Sequence, residues 1–217
     1  MAAIINDTAW SAKFAEVRRG GREWEAFPEI LEGIVPATQK RYANAIMIGR
    51  FQPFHIGHLY LALFALKSCD ELTIGIGSTQ ERGTEQNPFG VSTRKAMIRA
   101  SLADCGVGLD KIRIAEIPDF ATDEEWYAYI VKSNGPVNLV ISGNPYVNDV
   151  FRLHGTDIAE PPKYRRGAIS GTRIREMMAE GSGEWKTLVT PSVARIIEKA
   201  RANSTANDAP LRRLTGA

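Results

Sequence analysis

The chain has 217 residues, of which 44% are hydrophobic and 24% charged, a composition typical of a globular domain with a full core. Its 27 basic and 25 acidic residues leave a net charge of +2, which argues against binding nucleic acid or a membrane by bulk charge. Cys69 and Cys105 form no CxxC pair, the first residues lack the features of a signal peptide, and no apolar run approaches the ~18 residues of a membrane span. We therefore expect a cytoplasmic protein with no membrane or nucleic-acid partner.

Composition divides the chain into three regions. Residues 1–44 contain two stretches with helical spacing, AWSAKFAEVRRGG and EWEAFPEILEGI, separated by a Gly-Gly pair. Residues 45–202 alternate between short apolar runs and amphipathic stretches, whereas 203–217 are small and polar. We predict a helical N-terminal extension, one folded domain and a disordered tail.

Within residues 45–202 the apolar runs predict strands and the amphipathic stretches predict helices. In chain order we expect a strand in 45–49, a helix from about 55–57 to 69, a strand in 71–77, a helix in 92–106, a strand in 111–117, a helix in 123–133, a strand in 138–143, and helices in 145–155, 171–181 and 191–202. Ser92 or Thr93 is expected to cap the second helix and Gly106 to end it. Pro145 should open the fourth helix, and Gly155 should follow its last turn.

Strands that alternate with helices predict right-handed βαβ units, and hence an α/β fold: a Rossmann-like, doubly wound parallel sheet with helices on both faces. Ligands of such sheets bind beyond the C-terminal ends of the strands, an edge we call the rim. Gly49, Gly77 and Gly143 each end or follow a predicted strand. We therefore expect the three loops to meet at the rim.

The first group of candidate residues lies in GRFQPFHIGH, residues 49–58, where a strand leads into a helix. Helix N-termini leave N–H groups unpaired and carry partial positive charge, so they attract anions. His55 and His58 lie on the first turn, and Gly57 between them lets a ligand approach the backbone. The stretch favours an anion site with two imidazole donors. The alternatives are histidines that only cap the helix, or a zinc site, for which no third ligand is evident.

The second group lies in ISGTRIR, residues 169–175, at the start of a later helix. Ser170 and Thr172 are able to cap this helix, while Gly171 keeps its start open. Arg175 lies one turn further on, where its guanidinium could donate two hydrogen bonds to phosphate oxygens. Alone, this stretch describes an ordinary capped surface helix. Together, the two groups predict two helix N-termini that converge on one polyphosphate.

HIGH followed by the distant ISGTRIR resembles the nucleotidylyltransferases that carry HxGH and ISxTxxR signatures. The longer GRFQPFHIGH, with IGIGSTQ, NPF, IPD and SGNP in the same order, is similar to the archaeal-type nicotinamide mononucleotide (NMN) adenylyltransferases. The resemblance covers residues 45–200 and leaves out 1–44 and the tail. It implies transfer of AMP from ATP to NMN, giving NAD and pyrophosphate by in-line displacement.

The resemblance also implies roles for particular residues. His55, His58 and Arg175 would be catalytic and would contact the ATP phosphates. ATP would further be bound by Gly49, Arg50, Phe51, Gln52, Gly57, Ser170, Thr172 and Arg173. The acceptor nucleotide would be bound by Trp126, stacked on the nicotinamide ring, and by Gly143 and Asn144. Mg²⁺ would accompany ATP, held by phosphate oxygens and water, and we expect a homo-oligomer.

Two stretches depart from the family pattern, and both fall where the acceptor nucleotide would lie. The chain reads ERGTEQNPF where the family carries a histidine before NPF, and FATDEE follows IPD where asparagines are common. Adenylyl or cytidylyl transfer to another phosphate acceptor therefore stays open, as does a nucleotide sensor without turnover. The choice between the amide and acid forms of the pyridine nucleotide is open too. Trp126 could equally be a core aromatic, and Asn144 a turn residue before a proline.

Overall fold

The computed structural model describes residues 41–160 and 169–203, together with Glu25 and Phe27. Most of the predicted extension and of the predicted tail lies outside the described residues, so the division into domains stays a prediction. The described elements are β1 (Tyr42–Gly49), α1 (Ile56–Ser68), β2 (Cys69–Ile76), α2 (Val91–Asp104), β3 (Ile112–Glu116), α3 (Asp123–Asn134), β4 (Leu139–Ile141), α4 (Pro145–Leu153), β5 (Asp157–Ala159), α5 (Gly171–Ala179), a 3-10 helix (Gly183–Leu188) and α6 (Pro191–Ala202).

Every strand and helix predicted between residues 45 and 202 is present, and two short elements are added. Pro145 opens α4, and Gly106 and Gly155 follow α2 and α4 with φ angles of 68° and 73°, as predicted. β1 begins at Tyr42, so it includes three residues assigned to the extension. β5 and the 3-10 helix were not predicted. β5 escapes notice because its three residues include the charged Asp157 and form no apolar run.

The start of α2 corrects one prediction. Its N-cap is Gly90, with no side-chain cap, so neither Ser92 nor Thr93 caps this helix. The physical reason lies just upstream. The backbone N–H and C=O of Phe89 both bond to the side chain of Gln52, which fixes where the chain turns into the helix.

All five strands are parallel, in the order β3-β2-β1-β4-β5. The chain leaves β1 toward β2 and β3 and then returns to β4 on the other side of β1. In doubly wound sheets such a reversal opens a crevice at the carboxyl ends of the strands. The crevice at the rim therefore lies between β1 and β4.

The side chains of β1 alternate between two apolar cores, one on each face of the sheet. Ala45 and Met47 belong to the larger core, with residues of α1, α2, α5 and α6. Ile46 belongs to the smaller core, with Trp126 of α3 and Phe151 of α4. Helices thus cover both faces, and the predicted doubly wound α/β fold is confirmed.

Phe27 comes from the predicted extension but is part of the larger core. It is fully buried, and its ring meets that of Tyr60 edge-on with centroids 5.7 Å apart. This residue therefore contributes to the packing of the domain. None of the helices in the described ranges is long and apolar enough to cross a membrane.

Candidate active site

The loops after β1, β2 and β4 meet at the rim. Gly49 ends β1, and its carbonyl oxygen accepts a 2.9 Å hydrogen bond from the N–H of Gly77, just after β2. Gly143 follows β4, which pairs with the other edge of β1. The predicted convergence of the three loops is confirmed, and residues 49–58 lie at its centre.

His55 and His58 cap the first turn of α1 for each other. Nδ1 of His55 accepts from the N–H of His58, and Nδ1 of His58 accepts from the N–H of His55, each over 3.3 Å. The rings stack with centroids 3.6 Å apart and an interplanar angle of 19°. The capping interpretation is therefore correct, but capping uses only Nδ1 and leaves Nε2 of each ring for a ligand.

This capping arrangement fixes the protonation of both rings. Because Nδ1 accepts a hydrogen bond, the proton of each neutral imidazole is on Nε2. Burial lowers the pKa of His55 to about 3. Burial, together with the charge of His55, also holds the pKa of His58 well below its usual range. Both side chains are neutral Nε2–H donors at neutral pH.

Gly57 makes room for the ring of His55. A Cβ atom at position 57 would lie 3.1 Å from both Cε1 and Nδ1 of that imidazole, which is tighter than ordinary van der Waals contact. The glycine thus gives the imidazole its space, and a ligand contact with the backbone at this position stays a prediction.

The N-terminus of α5 packs directly against the loop after β1. A Cβ atom at Gly171 would lie 2.8 Å from the carbonyl oxygen of Gln52, and Nη1 of Arg175 donates to that same oxygen over 2.7 Å. Nη2 of Arg175 donates to Oγ1 of Thr172 over 3.3 Å. The structure therefore brings the two predicted helix N-termini together, although Gln52 and Arg175 are 123 positions apart.

Ser170 is the N-cap of α5, and its Oγ accepts from the N–H of Arg173 over 3.1 Å. Thr172 lies inside the first turn and holds Arg175, so it is not a cap. The guanidinium of Arg173 lies 3.5 Å from Glu176 and 3.9 Å from Glu180. The backbone N–H and the side chain of Arg173 are thus both engaged within the protein, and its assignment to the ATP site stays a prediction.

Arg50 and Arg175 each bring a positive charge to the rim, and the two charges influence each other. Burial lowers the pKa of the half-buried Arg175, repulsion from Arg50 lowers it further, and Glu176 partly offsets the shift. In the part of the chain that the structure describes, neither guanidinium forms an ion pair. Adjacent cations without a carboxylate partner are suited to binding a polyanion.

Gln52 and Phe51 shape this loop through contacts within the protein. The Gln52 amide is 3% exposed, and it donates to the carbonyl and accepts from the N–H of Phe89, both over 2.9 Å. Phe51 has a left-handed φ of 52°, and its ring would lie 2.8 Å from a Cβ at Gly49. The side-chain amide of Gln52 thus holds Phe89 in place, and the assignment of Gln52 to the ATP site stays a prediction.

On the other side of the crevice, Trp126 serves mainly the core. It is 8% exposed, and its ring lies 5.9 Å from Phe151, edge-on, and 6.1 Å from Tyr146. Asn144, directly after Gly143, is the N-cap of α4, and its Oδ1 accepts from the N–H of Tyr146 over 3.1 Å. The structural alternatives are thus correct: Trp126 is a core aromatic, and Asn144 lies at the turn before Pro145. Tyr146, 51% exposed, is far more open to solvent than Trp126.

Two carboxylates lie on this same side. Asp119 accepts from Oγ of Ser78 over 3.1 Å and from Nε2 of Gln80 over 2.8 Å, and Asp123 accepts from the hydroxyl of Tyr146 over 2.5 Å. The hydrogen bond to Asp123, then burial, then the charges of Asp123 and Asp119 raise the pKa of Tyr146 to about 12. The field of both carboxylates therefore reaches the phenol, and this side of the crevice is negative.

Comparison with known proteins agrees with this geometry. The family model described as cytidylyltransferase-like matches residues 46–177. A nicotinamide-nucleotide adenylyltransferase from Ignicoccus hospitalis is 39% identical over 156 residues, which is 72% of this chain and 91% of the relative. One from Pyrobaculum neutrophilum is 38% identical over 155 residues, or 71% of this chain and 87% of the relative. The chain belongs to the cytidylyltransferase-like family, among the nicotinamide-nucleotide adenylyltransferases. The sequence resemblance and the enzyme class, nucleotidyltransferase, are confirmed.

Solved structures give the same fold. A bifunctional NMN adenylyltransferase/ADP ribose pyrophosphatase from Francisella tularensis, complexed with AMP and a manganese ion, superposes with a TM-score of 0.62 at 24% identity. The match covers 78% of this chain, which spans about half, 52%, of that bifunctional protein. A nicotinic acid mononucleotide adenylyltransferase from Plasmodium falciparum has a TM-score of 0.51 at 11% identity, with 74% of this chain and 96% of that one covered. At these identities the likeness concerns the fold.

Sequence reasoning missed three residues of this family member's rim. Arg94 is buried and donates to backbone carbonyls of two rim loops. The sequence did not indicate this role, because an arginine on an amphipathic helix usually lies on the surface. Asp119 belongs to the IPD stretch and Tyr146 directly follows the SGNP stretch, so the two residues lay within or next to motifs that carried the resemblance. Across the described ranges, no three His, Cys, Asp or Glu side chains come together as a metal site.

Proposed function

We propose that this chain transfers the adenylyl group of ATP to NMN. A 5′-phosphate oxygen of NMN attacks the α-phosphorus of ATP, the bond to the bridging α,β-oxygen breaks, and NAD and pyrophosphate are released. The observation that carries the proposal is the contact of the α5 N-terminus with the loop that leads into α1. This contact supports the proposal because it joins the two segments that carry free helix N-termini, neutral imidazoles and guanidinium groups, the donors that a transferring polyphosphate requires.

On the ATP side, we assign charge stabilisation to His55 and His58, through Nε2–H, and to Arg175. Arg50 and the first backbone N–H groups of α5 complete the phosphate site. Gly49, Phe51, Gln52 and Gly57 act through the shape of the loop. Neither histidine has to give up a proton, since the attacking phosphate is already ionised and pyrophosphate leaves as an anion. Mg²⁺ enters as the MgATP complex, held by phosphate oxygens and water.

On the acceptor side, we place the pyridine ring near Tyr146 and the outer edge of Trp126, beside Gly143 and Asn144. The carboxylates of this side favour the amide form of the acceptor. The base of NMN is a cationic pyridinium, whereas nicotinate adds a carboxylate that Asp119 and Asp123 would repel.

The substitution Asp123→Asn tests this preference, because asparagine still accepts the hydrogen bond from Tyr146. The ratio of kcat/KM for NMN to that for nicotinate mononucleotide should fall about tenfold, the scale of one charge at several ångströms near a surface. The matched control is Glu124→Gln, one position along α3, where the carboxylate faces His154 at 3.4 Å. An unchanged ratio in Asp123→Asn, or an equal change in the control, would show that these carboxylates do not select the amide form of the acceptor.

The proposed reaction itself is tested with purified protein, Mg²⁺ and a panel of acceptors, by mass analysis of products and pyrophosphate release. The panel pairs ATP or CTP with NMN, nicotinate mononucleotide, flavin mononucleotide, pantetheine phosphate and glycerol phosphate. We expect NAD and pyrophosphate from ATP with NMN. If product formed only with a non-pyridine acceptor, NMN would be the wrong substrate, but the enzyme would still be a nucleotidyltransferase. Tight ATP binding without any product would favour the nucleotide sensor.

A further inference from the structure

Arg94 of α2 is the only lysine, arginine, aspartate or glutamate that is buried in the part of the chain that the structure describes. Its exposure is 0%, and none of the carboxylates in the described ranges pairs with it: Glu116, whose charge raises the pKa of Arg94, is bonded to Lys95. A buried guanidinium is costly unless its N–H groups are satisfied. The hydrogen-bond partners of Arg94 therefore indicate its role.

Those partners are three backbone carbonyls of two different rim loops. Nη1 of Arg94 donates to Arg50 O over 3.0 Å and to Gly77 O over 2.8 Å, and Nη2 donates to Ser78 O over 3.3 Å. Nε has no partner among the described residues. One planar group thus joins the first residue of the loop after β1 to the first residues of the loop after β2.

The two loops belong to opposite sides of the reaction. Arg50 follows Gly49 in the loop that carries the phosphate donors. Ser78 has a left-handed φ of 48°, an uncommon conformation for a residue with a side chain, and its Oγ donates to Asp119 on the acceptor side. Arg94 therefore fixes the distance between the part of the site that holds ATP and the part that faces the acceptor.

We propose that Arg94 is a positioning residue that sets the in-line alignment of the two substrates. The inference rests on the proposed adenylyl transfer, and it assigns to Arg94 an effect on the chemical step with little effect on the binding of either substrate. A lysine cannot reproduce it, because an ammonium is a point charge that does not span three carbonyls in one plane. A merely stabilising role would instead lower the melting temperature and leave kcat of the folded enzyme unchanged.

The test compares Arg94→Lys and Arg94→Ala with the wild type. The control is Arg99→Lys, a change of an exposed arginine on the same helix. Folded protein is verified by circular dichroism and thermal melting before kcat and both KM values are measured. We expect kcat to fall about 100-fold in both Arg94 variants, the scale of an ångström-sized misplacement, with each KM within about threefold. The control should match the wild type.

A second measurement probes the guanidinium directly. Millimolar guanidinium ion should restore part of kcat in Arg94→Ala by occupying the vacated site, whereas urea, which has the same shape without the charge, should not. Normal kcat in folded Arg94→Lys, a loss confined to KM, or an absence of guanidinium rescue would overturn the proposal. Failure of every variant to fold would also overturn it and make Arg94 a stability residue. A wild-type enzyme that forms no NAD would instead overturn the proposed function, and this is measured first.

Discussion

Replacing His58 by asparagine and by glutamine should separate helix capping from phosphate binding, because each amide reproduces a different nitrogen of the imidazole. The Oδ1 atom of asparagine lies where Nδ1 was, so it can still accept from the N–H of His55. The Nε2 atom of glutamine reaches the position of the imidazole Nε2 and can still donate outward. His58→Asn therefore keeps the cap and loses the phosphate donor, and His58→Gln does the opposite.

The magnitudes follow from the contacts of the ring. Both variants lose the stack on His55 and the edge contact with Phe51 at 4.9 Å, together about 1–2 kcal/mol of unfolding free energy. Only His58→Gln also loses the cap, about 1 kcal/mol more. Turnover should fall by about two to three orders of magnitude in His58→Asn, since one donor to developing charge is lost, and by about tenfold in His58→Gln.

The two variants should therefore rank in opposite orders for stability and for turnover. Urea unfolding should place wild type above His58→Asn and His58→Asn above His58→Gln, while steady-state NAD formation should place His58→Gln above His58→Asn. Both variants should be less stable than the wild type, because His58 packs against Phe51, Phe54 and His55. If turnover followed stability, with His58→Asn the faster variant, Nε2–H would have no part in the reaction.

Three further predictions concern single residues. Arg175→Lys should weaken ATP binding and transition-state stabilisation by about 1–3 kcal/mol, whereas the affinity for NMN, measured by calorimetry with NMN alone, should not change. A loss of affinity confined to NMN would show that Arg175 does not belong to the ATP site. Since folded His55 binds a proton only near its pKa of about 3 and the unfolded chain near 6.5, the unfolding free energy should fall as pH drops below 6.5, by about 1.4 kcal/mol per unit. Urea melts between pH 7 and 4.5 measure this slope. Because the pKa of His58 is lowered as well, His55→Asn should make the slope shallower without abolishing it, and an equal slope in wild type and variant would assign the effect to other groups. Phe27→Ala should lower the unfolding free energy by about 3 kcal/mol without changing the turnover of folded enzyme, and an unchanged melting curve would place Phe27 outside the core.

The fold could be predicted because its signal is local and repeated. Apolar runs and amphipathic stretches alternate throughout 45–202, and each βαβ unit has one favoured hand. What escaped prediction depends on tertiary contacts. The start of α2 is set by a side chain from another loop, that of Gln52 on Phe89, so a capping rule read along the chain selects the wrong residue. The burial of Phe27 depends likewise on a distant partner, Tyr60.

The candidate site divides in the same way. The order and spacing of GRFQPFHIGH and ISGTRIR predicted two helix N-termini at one point, and the contact between Arg175 and Gln52 agrees. The sequence could not reveal which polar atoms are already used within the protein. Gln52 and Asn144 match motif positions. In the structure, however, the amide of Gln52 is hydrogen-bonded to Phe89, and Oδ1 of Asn144 caps α4. Arg94 matches no motif, although it joins two of the rim loops.

The donors proposed for ATP are held in place before ATP arrives. The mutual caps at Nδ1 orient the Nε2–H groups of His55 and His58, and two hydrogen bonds fix the guanidinium of Arg175. An arginine has five N–H groups, so Arg175 can bind phosphate oxygens with the other three while keeping its bonds to Gln52 and Thr172. Little reorganisation is then needed when charge develops on the transferring phosphate, which is the condition under which fixed donors lower a barrier most. Substitutions that loosen the internal bonds without removing a donor should therefore slow turnover more than they weaken ATP binding.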